Sequence, residues 1–243
     1  MSGGRSPPRH VVVLAHPDPQ SFNATIADTY CQTVRECGQK AILRDLYAIG
    51  FDPILKDSER PGTQGFALSK DVRDELAAID EGDVFALVYP IWFGMPPAMM
   101  KGYIDRVLGA GATHREIQDR AGQGVLRDKR MISITTSGTR EVWLDEQAQI
   151  ESLKNVLGRY LSNAFGAKSV EHLQFGGITE GLSKRFVDQN LQDVRDRARK
   201  VCATVAAERH AEGGAHRLNA TDRHSTGADR WPSTPRSVDM PTP

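Results

Sequence analysis

The sequence predicts a doubly wound α/β domain: a five-stranded parallel sheet in the order 2-1-3-4-5, with helices on both faces. Three observations carry this. Short apolar runs alternate with segments of helical period along most of the 243 residues, the pattern of a parallel sheet whose crossovers are helices. The runs at residues 11–15 and 84–88 are apolar at every position, as strands covered on both faces must be. The chemically loaded turns follow the first, third and fourth strands. In this strand order those turns meet where the winding reverses, the place at which open α/β sheets bind ligands.

The first strand, 11–15, stops at His16-Pro17-Asp18-Pro19. Ser21 precedes a helix with Ile26, Tyr30 and Val34 on one face, ended by Gly38. A second strand occupies 41–43, and residues 50–70 read as loop because of Pro53, Pro61, Gly62 and Gly65. Val72, Leu76 and Ile79 form a short helical stripe that leads into the third strand at Val84. Pro90 ends that strand, and Pro96 and Pro97 suit the first turn of a helix, where a missing N–H costs little. Met95, Met99, Met100 and Tyr103 give this helix more apolar surface than one sheet face needs. They serve either a dimer interface or a plain core stripe.

Residues 109–130 show no period. The fourth strand, 131–135, ends in Thr135-Thr136-Ser137-Gly138. Ile150, Leu153, Leu157 and Leu161 recur at helical spacing, and 169–175 is a fifth strand closed by Gly176-Gly177. Val187, Leu191, Val194, Ala198, Val201 and Val205 make a final amphipathic helix. From His210 onward the chain is too poor in apolar residues to offset its ordering entropy. The expected organisation is therefore a flexible 1–9, one domain at 10–209 and a disordered tail at 210–243.

Composition narrows the function. Thirty-one basic and 31 acidic side chains balance, which argues against nucleic-acid binding through bulk charge. No apolar run approaches the roughly 20 residues of a membrane span, and the polar amino terminus has no secretory h-region. A cytoplasmic protein without membrane insertion is expected. Cys31, Cys37 and Cys202 show no metal spacing and read as reduced thiols. His210, His216 and His224 fall in the tail, where nothing would fix a metal geometry, so no metal site is expected.

The three turns suggest chemistry. Residues 16–23 lack both the dinucleotide G-x-G-x-x-G and the P-loop pattern. They form a polar turn entering a helix, whose exposed N–H groups bind phosphate oxygens. Ser21 and Asn23 can add side-chain donors, or Ser21 can simply cap the helix. Trp92 and Phe93, between Pro90 and Gly94, offer an apolar wall. Thr135, Thr136, Ser137 and Gly138 offer successive donors suited to negative charge developing on a ring edge. A phosphate site, an apolar wall and a donor row together describe a flavin mononucleotide pocket.

Four segments carry a family resemblance: Ala15-His16-Pro-Asp-Pro-Gln-Ser21-Phe22-Asn23, Asp45-Leu46-Tyr47-Ala48, Lys101-Gly102-Tyr103-Ile104-Asp105-Arg106 and Ser133-Ile134-Thr135-Thr136. In order and spacing they resemble the NAD(P)H:quinone oxidoreductases of flavodoxin-like fold. The resemblance implies FMN, or alternatively FAD, as cofactor and NADH or NADPH as donor. It implies ping-pong transfer of two electrons to a quinone-like small molecule, and a homodimer. It assigns His16, Ser21, Phe22 and Asn23 to the phosphates, Pro90, Ile91, Trp92 and Phe93 to the ring, and Thr135, Thr136, Ser137 and Gly138 to its polar edge. The substrate-side tyrosines of the family are missing from residues 109–114, and Trp143 and Gln149 stand where some members carry Tyr and His. His114 is the candidate catalytic group near the acceptor. A flavin-bound ancillary subunit of a membrane transporter is the alternative. A flavodoxin-type electron carrier, normally strongly acidic, fits the balanced charge less well.

Overall fold

The structure is a computed structural model that describes residues 6–119 and 124–222. Its centre is a five-stranded sheet of β1 (Arg9–Leu14), β2 (Lys40–Asp45), β3 (Val84–Pro90), β4 (Arg130–Thr136) and β5 (Ser169–Phe175). The order is β2-β1-β3-β4-β5, with every pairing parallel, as the sequence predicts. All of β3 is buried, whereas the edge strands β2 and β5 are mostly half-buried. The central strand therefore reads as an unbroken apolar run, and the edges do not.

Side chains alternate across the sheet. Val12, Leu14, Ala86, Val88 and Ile134 face α1 (Phe22–Glu36) and the amino-terminal part of α8 (Lys184–Asp222), which contribute Ile26, Tyr30, Val34, Val194 and Val201. Val11, Val13, Phe85, Leu87 and Tyr89 face the other way. There they meet Ile79 of α2 (Lys70–Ile79), α3 (Ala98–Tyr103), and Leu161 and Phe165 of α7 (Leu161–Phe165). Each crossover so buries one helical stripe against one sheet face.

α3 continues into a π-helical turn, Ile104–Leu108. Met100, Tyr103, Ile104 and Val107 are buried in the core, so the surplus apolar surface of this helix is a core stripe, and only Met95 of that set is exposed. Gly102 is required here, because a Cβ would lie 2.3 Å from the Pro53 carbonyl. The loop 51–69 thus packs directly on the helix, and Arg106 fastens it. Its guanidinium, 1% exposed, donates from Nε and Nη2 to Glu59 (2.8 and 2.7 Å), from Nη1 and Nη2 to Asp71, and from Nη1 to the Asp52 carbonyl. That pairing holds the Glu59 carboxyl down at about 2.

After β3 and its helix comes α4 (His114–Gln118), opened by a Thr113–Glu116 capping box. After β4 come α5 (Glu141–Glu146), α6 (Gln149–Leu153) and a π-helical stretch, Lys154–Tyr160, that runs into α7. The chain divides into two compact units, Met1–Val205 and Ala206–Pro243. The second unit is helical as far as Asp222, past the His210 boundary that composition sets. Ala206, Ala207, Glu208, Arg209 and Ala211 are strong helix formers and hold a helix without an apolar stripe. The His216 side chain and residues 223–243, which include His224, lie outside the described residues. Among those described, no helix is long and apolar enough to cross a membrane.

Candidate functional site

The loops after β1, β3 and β4 converge on a solvent-open cleft of about 140 Å³. It is lined by His16, Ser21, Phe22 and Asn23 from the first loop and by Pro90, Ile91 and Trp92 from the second. Thr136, Ser137 and Gly138 come from the third. Ten of the twelve cofactor-binding residues expected from the sequence therefore share one cavity. Ile178, from the loop after β5, completes it. The sequence reading missed this residue, although Gly176-Gly177 marked the turn that carries it.

The first loop presents the amino end of α1. Ser21 caps the helix, its Oγ accepting the Ala24 N–H at 3.2 Å, so the capping role is real. Its hydroxyl hydrogen still remains to be donated. The Thr25 N–H is bonded to Ser21 O, which leaves the Phe22 and Asn23 N–H groups as the outward donors of the first turn. The Asp18 N–H donates to His16 Nδ1 at 3.1 Å. Nδ1 also lies 3.2 Å from the Asp18 carbonyl oxygen, and the two contacts hold the imidazole against its own loop. The Asn23 side chain is committed elsewhere: it donates to Thr136 Oγ1 at 2.9 Å and accepts from it at 3.2 Å, buried. Asn23 thus ties the first loop to the third. No carboxylate lines the cleft, as an anion site at a helix amino terminus requires.

The second loop supplies the wall. Ile91 is 7% exposed and Trp92 41%, and the Trp92 ring edge meets His16 at 5.7 Å between centroids. Phe93 does not line the cleft. It sits in the left-handed region at φ +51°, with its side chain fully exposed, because the hydrogen-bonded turn between Trp92 and Met95 places it at the tip.

The third loop offers fewer donors than its sequence suggests. The Ser137 N–H is bonded to Phe175 O at 2.8 Å and the Thr139 N–H to Ser137 Oγ at 3.0 Å. The Thr135 hydroxyl donates to Gln174 Oε1 at 2.5 Å, away from the cleft. Pairing of β4 with β5 takes up the Ser137 N–H and the Thr135 hydroxyl, a turn within the loop takes up the Thr139 N–H, and Gly138 lines the cavity.

His114 is not among the lining residues. α3 and its π turn carry the chain about 1.5 Å per residue away from the carboxyl end of β3, and α4 packs against α7. A larger hollow of about 510 Å³ adjoins the cleft, lined by Arg140, Gln174, Phe175, Phe186, Asn190 and Asp193 among others. Phe22 of the cleft and Phe175 of the hollow stand 6.3 Å apart, edge to face. Gln174 Nε2 and Asn190 Nδ2 are buried there without a hydrogen-bond partner.

A family model described as flavodoxin-like fold matches residues 8–201. The chain is 32% identical over 201 residues to an uncharacterized NAD(P)H oxidoreductase of Haemophilus influenzae, covering 82% of this chain and 93% of that protein. It is 31% identical over 156 residues to NAD(P)H dehydrogenase (quinone) 1 of Cavia porcellus, covering 56% of this chain. It spans about half the length of that relative, 55%. Among solved structures, the NAD(P)H:quinone oxidoreductase from Methanothermobacter marburgensis aligns with a TM-score of 0.67 at 25% identity, over 81% of this chain and 98% of that one.

Proposed function

This chain belongs to the flavodoxin-like family of NAD(P)H:quinone oxidoreductases, and from that premise we propose a cytoplasmic, flavin-dependent enzyme that passes two electrons from NADH or NADPH to quinones or similar small acceptors. The observation that carries the reading is the cleft itself, in which a helix amino terminus, an aromatic wall and the Ser137-Gly138 turn line one cavity free of carboxylates.

FMN fits this arrangement. Its phosphate would take the Phe22 and Asn23 N–H groups and the Ser21 hydroxyl, with the His16 ring beside it. Ile91 and Trp92 would lie along the ring and keep water from that side. The Gly138 N–H would meet the polar edge of the ring, where a donor steadies negative charge. When bound, the flavin supplies hydride acceptance from NAD(P)H and two-electron delivery to the acceptor in alternating half-reactions. The protein's part is to hold, orient and shield it, with no base at His114 required.

FAD is the second reading, favoured by the hollow beside the cleft and its two unpartnered amides, which offer donors to the remainder of a larger flavin. A homodimer is supported by the apolar side chains exposed on the loop after β3, Phe93 and Met95, and on α5, Val142 and Trp143. The test is anaerobic mixing of the flavin-loaded protein with NADH and with NADPH. Bleaching of the flavin absorbance, reversed by benzoquinone, is the expected outcome. Absorbance unchanged by either nucleotide would refute the reading.

A further inference from the structure

All three cysteines are free thiols, Cys31 and Cys202 buried and Cys37 exposed. Cys37 is the C-cap of α1, and Gly38 turns the chain there at φ +74°. Cys202 lies on α8, buried against the same face of the sheet as α1. The turn after α1 brings the two together. Gln39, two positions past Cys37, donates from Nε2 to the Cys202 carbonyl at 2.8 Å. Burial, and then the Cys37 thiol standing against it, push the Cys202 thiol up to about 12. An exposed thiol therefore meets a buried one across two elements far apart in sequence.

The surroundings of Cys202 suit a sulfur that must become a nucleophile. Gln39 has its amide nitrogen on the Cys202 carbonyl, so its Oε1 is the atom facing His10 Nε2 at 2.9 Å. That oxygen only accepts, which puts a proton on His10 Nε2. The same nitrogen stands 3.8 Å from Cys202 Sγ and gives a thiolate there a donor inside the protein. His10 opens the sheet at the start of β1, whereas the cleft follows the other end of that strand. The thiol pair is thus separate from the site described above.

We propose that Cys37 and Cys202 form a site of reversible oxidation, at which a peroxide closes a disulfide within the chain. The Cys37 thiolate attacks the O–O bond of the peroxide. Its sulfur becomes a sulfenic acid, and the distal oxygen leaves as an alcohol, or as water from hydrogen peroxide. Cys202 sulfur then attacks the sulfenic sulfur: the S–S bond forms, the S–O bond breaks, and the hydroxide leaves as water with the proton of the Cys202 thiol. Two electrons pass from the two thiols to the peroxide. Reversible, sensing disulfides are the kind that a reducing compartment allows.

The test treats the reduced protein with hydrogen peroxide, unfolds it in N-ethylmaleimide and maps the peptides by mass. The expected product is a single chain in which Cys37 and Cys202 are joined and Cys31 alone takes the label; dithiothreitol restores labelling at all three. Cys31, whose thiol burial pushes up to about 11, is a bystander, so Cys31→Ala keeps the cross-link. Cys37→Ser, at an exposed position, folds as the wild type does and leaves Cys202 open to the label. A Cys37 sulfinic acid with Cys202 still labelled overturns the inference. So does a disulfide that joins two chains through Cys37, or a peroxide-treated protein that still labels at all three positions.

Discussion

Arg106 and Trp92 lie on one stretch of chain yet stand in opposite surroundings. Every N–H of the Arg106 guanidinium is bonded inside the protein, to Glu59, Asp71 and the Asp52 carbonyl. Around Trp92, the amino end of α1, His16 and Gly138 line a cavity beside a half-exposed aromatic ring. Where all polar capacity is met within the chain, the residues hold the fold. Where polar groups and an apolar wall share a cavity, they can serve a ligand, which is the part proposed for them here.

The comparison breaks first at Arg106. Replacing it with Met leaves Glu59 buried without its partner and frees the loop 51–69, and we expect a loss of about 3–5 kcal/mol in chemical denaturation. A loss below about 1 kcal/mol would mean that the cluster is not structural. The next effect belongs to another fully bonded group, His10. It is buried, with Nδ1 3.1 Å from the Tyr30 hydroxyl and Nε2 2.9 Å from Gln39 Oε1, and burial lowers its pKa from 6.5 to about 4. Between those values the unfolded chain binds the proton and the folded chain does not. Stability is therefore full above pH 6.5 and is lost as pH falls toward 4, by about 3 kcal/mol. His10→Asn should flatten that part of the stability–pH curve, and an unaltered slope would contradict the assignment.

The cleft should respond the other way. Trp92→Ala is expected to change stability by about 1 kcal/mol, because the ring is only partly covered, yet to weaken FMN about tenfold through loss of the ring wall. Phe93→Ala, at the outward tip, should leave FMN affinity within about twofold, since a surface side chain away from the contact contributes little. Equal losses from the two substitutions would show that the wall is misassigned.

Much of this was legible in the residues. The five strands follow from apolar runs, and the meeting of three loops follows from the strand order. What stayed hidden was settled by groups distant in sequence or by single dihedral angles. Arg106 finds Glu59 and Asp71 across a loop without periodicity. Ser137 loses its N–H to Phe175 because β5 lies alongside, and nothing in Thr-Thr-Ser-Gly announces that. Phe93 and Trp92 are adjacent aromatics, and a left-handed φ at one of them sends only Trp92 to the cleft. α4 was readable in principle, since Thr113-His114-Arg115-Glu116 is a capping box; the charge and glycine around it obscured the signal.

The most direct measurement is a fluorescence titration of flavin-free protein with FMN, repeated with FAD. Saturable quenching at one flavin per chain, weakened in Trp92→Ala and retained in Phe93→Ala, is the expected result. A protein that takes up neither flavin would contradict the account.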